Sequence, residues 1–185
     1  MKQKIILATN SPRRHELASV MGLDFEVVPS SYEEQIDTAL PPKEMVMEFA
    51  YGKAADVAKK FKAGIVIGID TIVVFNNTKL GKPKDKKHAF EMLKSFSNKE
   101  QEVYSGIAII NCSTGKVIKD FEITKVWFGR MKDDEIKRYV ATGEPLDKAG
   151  AYGIQDLSAI FIRKIEGCYF NIVGFPIYTK RHSFV

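Results

Sequence analysis

Two rhythms of apolar and polar positions run along the chain. Ile5 to Ala8 is a short continuous apolar run, which predicts a buried strand. Thr9-Asn10-Ser11 then supplies turn and N-cap chemistry, with Pro12 suited to the first helical position. Leu17, Val20 and Met21 fall at helical spacing, and Gly22 marks the helix end. Phe25 to Pro29 predicts a second strand, followed by the polar stretch "SSYEEQID". Pro41-Pro42 opens a long helix to about Phe61, with Val46, Phe49, Ala50, Ala54 and Val57 as its apolar stripe. Gly52 sits inside that helix, at a cost of about 1 kcal/mol relative to Ala.

"GIVIGIDTIVVF" predicts a strand interrupted at Asp70, "NNTK" a hairpin turn, and Asp85 to Phe96 another helix. The second half is richer in strands: "QEVYSGIAII", "KVIKDFEITKVWFG" and "AIFIRKIEG" read as members of a sheet. "KDDEIKRYVATGE" is a helix between them, and "FNIVGFPIYTKR" predicts a last helix starting near Pro176. No repeat, low-complexity tract or linker interrupts the pattern. Residues 1–185 therefore predict one α/β domain with a mixed sheet, since hairpins and crossovers both occur.

Composition sharpens this only modestly. The 185 residues are 45% hydrophobic and 28% charged, enough for a real core and ordinary for a globular chain. The net charge of +5 and the pI of 9.1 suit an anionic partner. Nucleic acid and small phosphorylated molecules fit that charge equally well, although no basic stripe with stacking aromatics is present. Cys112 and Cys168 have no metal-site spacing and read as reduced thiols. The apolar run in "MKQKIILATN" is too short for a secretion signal, and no run reaches membrane-spanning length. These features predict a cytoplasmic protein without a membrane partner.

Five stretches carry candidate chemistry. In "ATNSPRRHEL", Arg13 and Arg14 stand at a helix N-terminus, where the dipole disfavours cations. An anion there would be met by free backbone N–H groups and two fork-shaped donors. The alternative is a pair of solvated arginines, or pairing with Glu16 or Glu33. Asp70 breaks an almost wholly apolar run, and a buried carboxylate needs a partner, a metal or a catalytic use. It can serve as a general base or hold Mg²⁺. Lys53 shares a face with the apolar stripe and, taken alone, reads as a snorkelling lysine. "LGKPKD" presents Lys82 on a turn. "EPLDKAGAYGIQD" has glycines that let backbone approach a ligand, and Gln155 can read a base edge. Glu33 and Glu34 are candidate metal-side carboxylates. Cations, carboxylates and no nucleophile triad together suit metal-assisted phosphate-ester chemistry.

Taken in order, "ATNSPRRHEL", Glu33-Glu34, "GIDTIV", "LGKP" and "EPLDKAGAYGIQ" resemble the Maf family of nucleoside triphosphate pyrophosphatases, from Leu7 to about Pro176. The resemblance implies an elongated two-lobed α/β domain with a central mixed β-sheet flanked by helices and a cleft between the lobes, similar to inosine triphosphate pyrophosphatases. It implies cleavage between the α and β phosphates, with a divalent cation (Mg²⁺, Mn²⁺ or Co²⁺). Asp70 matches the proton acceptor, and Ser11, Arg13 and Arg14 match the phosphate-binding turn. Lys53 and Lys82 match lysines on the triphosphate, and Glu33 with Asp70 the metal site. Arg13, Thr71 and Gln155 match positions linked to substrate choice. The "AYGIQ" form resembles the branch preferring dTTP and UTP, implying removal of unwanted or modified pyrimidine nucleotides and a link to septum formation. The competing readings are the same reaction on another base such as 7-methyl-GTP, and a nucleotide- or nucleic-acid-binding protein without catalysis. Specific nucleic-acid binding is not expected. A homodimer is the assembly to test. Asp156 stands where the family commonly has glycine, and Phe175 where it has leucine.

Overall fold

The computed structural model describes residues 3–35 and 39–178. Among the described residues there are seven strands and five helices: β1 Ile5–Leu7, α1 Pro12–Val20, β2 Phe25–Val27, α2 Pro42–Ala58, β3 Ile65–Phe75, β4 Thr78–Leu80, α3 Lys86–Phe96, β5 Glu100–Asn111, β6 Val117–Phe128, α4 Asp133–Ala141, β7 Ile162–Glu166 and α5 Tyr169–Val173. Short 3-10 turns occupy Glu144–Asp147, Ala149–Ala151 and Leu157–Phe161. The sheet order is β2-β1-β3-β5-β6-β7, with β4 paired to β3. β1 is parallel to β2 and to β3, whereas β4 on β3 and β7 on β6 are antiparallel, so the sheet is mixed as expected.

The chain forms two compact units. One comprises Met1–Thr71, Ser105–Glu122 and Gly174–Val185; the other comprises Ile72–Tyr104 and Ile123–Val173. In the first, α2 packs its small-residue face on the sheet: Ala50, Ala54 and Val57 join Ile6, Ala8, Val66 and Ala108 in one core. Two glycines allow this close approach. A Cβ at Gly68 would overlap the Ala50 carbonyl and lie 2.7 Å from Ala54 N; one at Gly106 would overlap the Val46 carbonyl and lie 2.7 Å from Met47 N. The position of α2 over β3 and β5 is thus set by backbone contact rather than by side-chain thickness. The second unit has a more aromatic core. Phe75, Phe96, Phe128 and Tyr152 form a chain of rings with successive centroids 5.0, 5.5 and 5.0 Å apart.

Most predicted elements occur, and the departures have local causes. Ser11 makes no side-chain cap to α1; its backbone N–H instead donates to Thr9 Oγ1 at 3.2 Å. β3 is continuous, so Asp70 does not interrupt the backbone even though it interrupts the apolar pattern. Asn76 and Asn77 both take positive φ (48° and 59°), the geometry a two-residue hairpin needs and asparagine tolerates. The strand predicted over "AIFIRKIEG" begins only at Ile162. Its first residues wind into a 3-10 turn whose Ser158 hydroxyl bonds back to Gly153 O at 2.9 Å. The last described α-helix, α5, ends before Gly174, where the chain turns at φ 109°; the helix expected to start near Pro176 falls almost wholly outside the described residues. Any helix beyond Tyr178 lies outside the described residues. Among the described residues, no helix is long and apolar enough to cross a membrane. Both cysteines are free thiols.

Candidate active site

The first unit gathers much of the predicted chemistry at the middle of β3. Asp70 is 4% exposed. Its Oδ1 accepts a hydrogen bond from Lys53 Nζ at 2.7 Å. Its Oδ2 is buried and has no hydrogen-bond partner. A carboxylate that is paired on one oxygen and bare on the other retains an acceptor in a water-poor place. Lys53 reaches it from α2, with 14% of its side chain accessible. The same ammonium donates to the Ile69 carbonyl at 3.4 Å and forms an ion pair with Glu34. The carboxylate brought to the lysine is Glu34; its neighbour Glu33, which the resemblance singles out, is exposed like Glu34 itself.

Arg14 bonds to the same strand segment and shares the Ile69 carbonyl with Lys53. Its Nε donates to the Gly174 carbonyl at 2.8 Å. One terminal nitrogen donates to Thr9 Oγ1 at 3.2 Å and the Ile69 carbonyl at 3.0 Å. The other donates to Thr71 Oγ1 at 3.1 Å. Thr71 in turn shares a 2.8 Å hydrogen bond with Ser105. Burial pushes the Arg14 pKa down, and the nearby carboxylates of Asp70 and Glu34 oppose that shift; a guanidinium remains charged regardless. The arginine that looks misplaced at a helix N-terminus is turned inward. It uses its fork to tie together residues far apart in sequence. Arg13 is half-buried and adjoins it on α1. Thr9 and Ser105 are parts of this network that the sequence reading did not select. Ser105 carried the same signal as Asp70, a polar residue in the apolar run "VYSGIAII".

Lys82 and Gln155 belong to the second unit, and both are exposed. Gln155 lies on a turn tied down by Lys148, which is 6% exposed. Lys148 Nζ donates to the Glu144 carbonyl and to Asp147 Oδ1, each at 2.8 Å, and lies 3.3 Å from Asp156 Oδ2. Asp156 therefore adds no uncompensated charge beside Gln155, because a buried ammonium faces it. Among the described residues, no group of three or more His, Cys, Asp and Glu side chains is placed to hold a metal ion.

Known proteins resemble this chain along most of its length. The chain is 53% identical over 179 residues to a dTTP/UTP pyrophosphatase of Alkaliphilus oremlandii, covering 96% of this chain and 92% of that one. It is 51% identical over 175 residues to a dTTP/UTP pyrophosphatase of Thermoanaerobacter, covering 94% and 91%. It is 48% identical over 182 residues to one from Clostridium botulinum, covering 95% and 92%. A solved structure of the Staphylococcus aureus Ham1 protein aligns with a TM-score of 0.46 at 13% identity, over 68% of this chain and 72% of that one. The family described as Maf-like protein matches residues 4–184. With that match and relatives near half identity along almost its whole length, this chain belongs to the Maf family.

Proposed function

We propose that the protein is a nucleoside triphosphate pyrophosphatase acting on dTTP and UTP, as its relatives' names indicate. The observation that carries the reading is the asymmetry of Asp70, with Oδ1 held by Lys53 and Oδ2 buried without a partner. In this role Asp70 Oδ2 accepts a proton from a water as the water oxygen bonds to the α-phosphorus. The bond from the α-phosphorus to the bridging oxygen breaks, and pyrophosphate leaves with the electron pair. Lys53 orients Asp70 in the free enzyme and supplies positive charge near the phosphates. Arg13 and Ser11 at the start of α1, with Lys82, bind the triphosphate. Arg14 holds this turn to β3 through Thr71 and Ile69. Arg13, Thr71 and Gln155 contribute to base choice.

A divalent cation fits the residues present. Asp70 Oδ1 and Glu34 converge on one point, which Lys53 holds in the free protein, so these two carboxylates would hold the ion and leave Asp70 Oδ2 to take the proton. Mg²⁺ is commonly held by one or two carboxylates together with substrate phosphates, so a larger protein cage is not required. When bound, such an ion neutralises charge on the phosphate oxygens.

The test is hydrolysis of a nucleotide panel with Mg²⁺ or Mn²⁺, resolving pyrophosphate from orthophosphate. The expected products are the monophosphate and pyrophosphate, with dTTP and UTP fastest and activity lost to EDTA. Orthophosphate and a nucleoside diphosphate as sole products would overturn the assignment, and fastest turnover of 7-methyl-GTP would move it to another base.

A further inference from the structure

Gly52 is the residue that helix energetics leave unexplained, because it weakens the interior of α2 without lying against the sheet. Its clearance is used by a side chain from the loop before the helix. A Cβ at Gly52 would overlap the ring of Tyr32 and lie 2.8 Å from its Cδ2. The Tyr32 ring also meets Phe49 at a centroid distance of 6.4 Å. One turn further along, Asp56 Oδ2 accepts from the Ser31 backbone N–H at 2.8 Å and from the Ser30 and Ser31 hydroxyls at 2.9 and 3.2 Å. Ser30 Oγ then accepts from Tyr32 N at 3.0 Å, which closes the loop on itself. Phe49, Gly52, Lys53 and Asp56 are spaced i, i+3, i+4, i+7, so they form one face of α2. The loop runs along that face, and Glu34, two residues beyond Tyr32, meets Lys53.

We propose that Tyr32, Gly52 and Asp56 are positioning residues that lay the 30–35 loop on α2 and so deliver the Glu34 carboxylate to Lys53 and Asp70. The inference rests on the catalytic reading of that site. Glu34 is more exposed than Lys53, with 41% against 14% of its side chain accessible. An exposed glutamate spends little time in one place unless its backbone is held. Two anchors upstream, an aromatic ring in a glycine notch and a carboxylate accepting three donors, do that holding. Neither anchor touches the predicted reacting atoms.

Gly52→Ala tests this cleanly, because alanine is the better helix former and closes only the notch. The expected result is an unchanged or raised Tm, with kcat/KM for dTTP down about tenfold. Amide hydrogen exchange over residues 30–35 quickens in the same variant. Asp56→Ala and Tyr32→Ala show the same fall in kcat/KM and the same quickened exchange, with a lowered Tm in each, and Tyr32→Phe recovers most of the loss because it keeps the ring. In the cycle of Gly52→Ala with Glu34→Gln, the double variant loses little beyond Glu34→Gln alone. Unchanged exchange in both Gly52→Ala and Asp56→Ala would overturn the proposal. So would faster exchange at wild-type kcat/KM, or fully additive losses in the cycle. Full activity in Glu34→Gln would overturn the catalytic reading of Glu34 as well, whereas loss in Glu34→Gln with normal Gly52→Ala overturns the positioning inference alone.

Discussion

Lys53 Nζ stands 2.7 Å from one oxygen of Asp70, while the other oxygen of that carboxylate is buried and unpartnered. The pair joins a helix to a strand, and it divides Asp70 into a fixed half and an available half.

Asp70→Asn keeps the shape and removes the proton acceptor. The variant is expected to bind a non-hydrolysable dTTP analogue with a Kd near wild type and to lose at least ~10²-fold in kcat. Calorimetric titration and steady-state rates together check it. Lys53→Met strands a buried carboxylate and is expected to destabilise the fold by about 3 kcal/mol in urea denaturation, with part of that recovered in Lys53→Met/Asp70→Asn.

Arg14→Lys preserves the charge and discards the fork. A lysine ammonium cannot serve the Gly174, Ile69, Thr9 and Thr71 oxygens at once. The loss expected in urea denaturation is about 2 kcal/mol, from acceptors left without their donors. A stability within a few tenths of wild type would show that Arg14 does not tie these segments together.

Gly68→Ala places a methyl group against the backbone of α2 at Ala50 and Ala54. The helix has to move off the sheet, at an expected cost of about 3 kcal/mol. Because the helix carries Lys53, kcat should fall along with the urea midpoint.

The hydrogen bonds from Ser31 and Ser30 hold the Asp56 carboxyl below its ordinary pKa. A depressed folded-state pKa contributes stability that is present above the unfolded value and is lost as pH falls through the folded one. The Tm gap between wild type and Asp56→Asn should therefore be constant near neutrality and close as pH drops below the ordinary carboxylate range. A gap that persists unchanged at low pH would contradict the carboxylate's role.

Asp156→Asn removes one of the anions facing buried Lys148 and leaves Asp147 in place. The fold should hold, while the turn bearing Gln155 loosens. The expected readout is a severalfold narrowing of the kcat/KM ratio between UTP and CTP, with kcat on UTP changed less than the ratio.

Much of this was readable from residue order, for physical reasons. Asp70 announced itself because a charged residue in an apolar strand has few cheap explanations. The hairpin at Asn76-Asn77 was visible because few residues tolerate positive φ. Other features depend on contacts distant in sequence. Nothing local says that Arg14 spends its donors on residues 69, 71 and 174. Nor does anything local say that Glu34 is the glutamate that pairs with Lys53. The apolar residues Ala159–Phe161 match a strand pattern but belong to a 3-10 turn, because Ser158 bonds back to Gly153 and, among the described residues, no ladder partner takes this stretch up.

The segment order of the first unit has a consequence for biosynthesis. Residues 72–104 and 123–173 are spliced into it as insertions, and the Gly174 carbonyl that Arg14 grips comes only after them. On the ribosome, the inserted unit has all its residues before the first unit has its last segment. Arg14 must therefore wait until the inserted residues have been made and Gly174 follows them, so the first unit closes on Arg14 only after the second has all its residues.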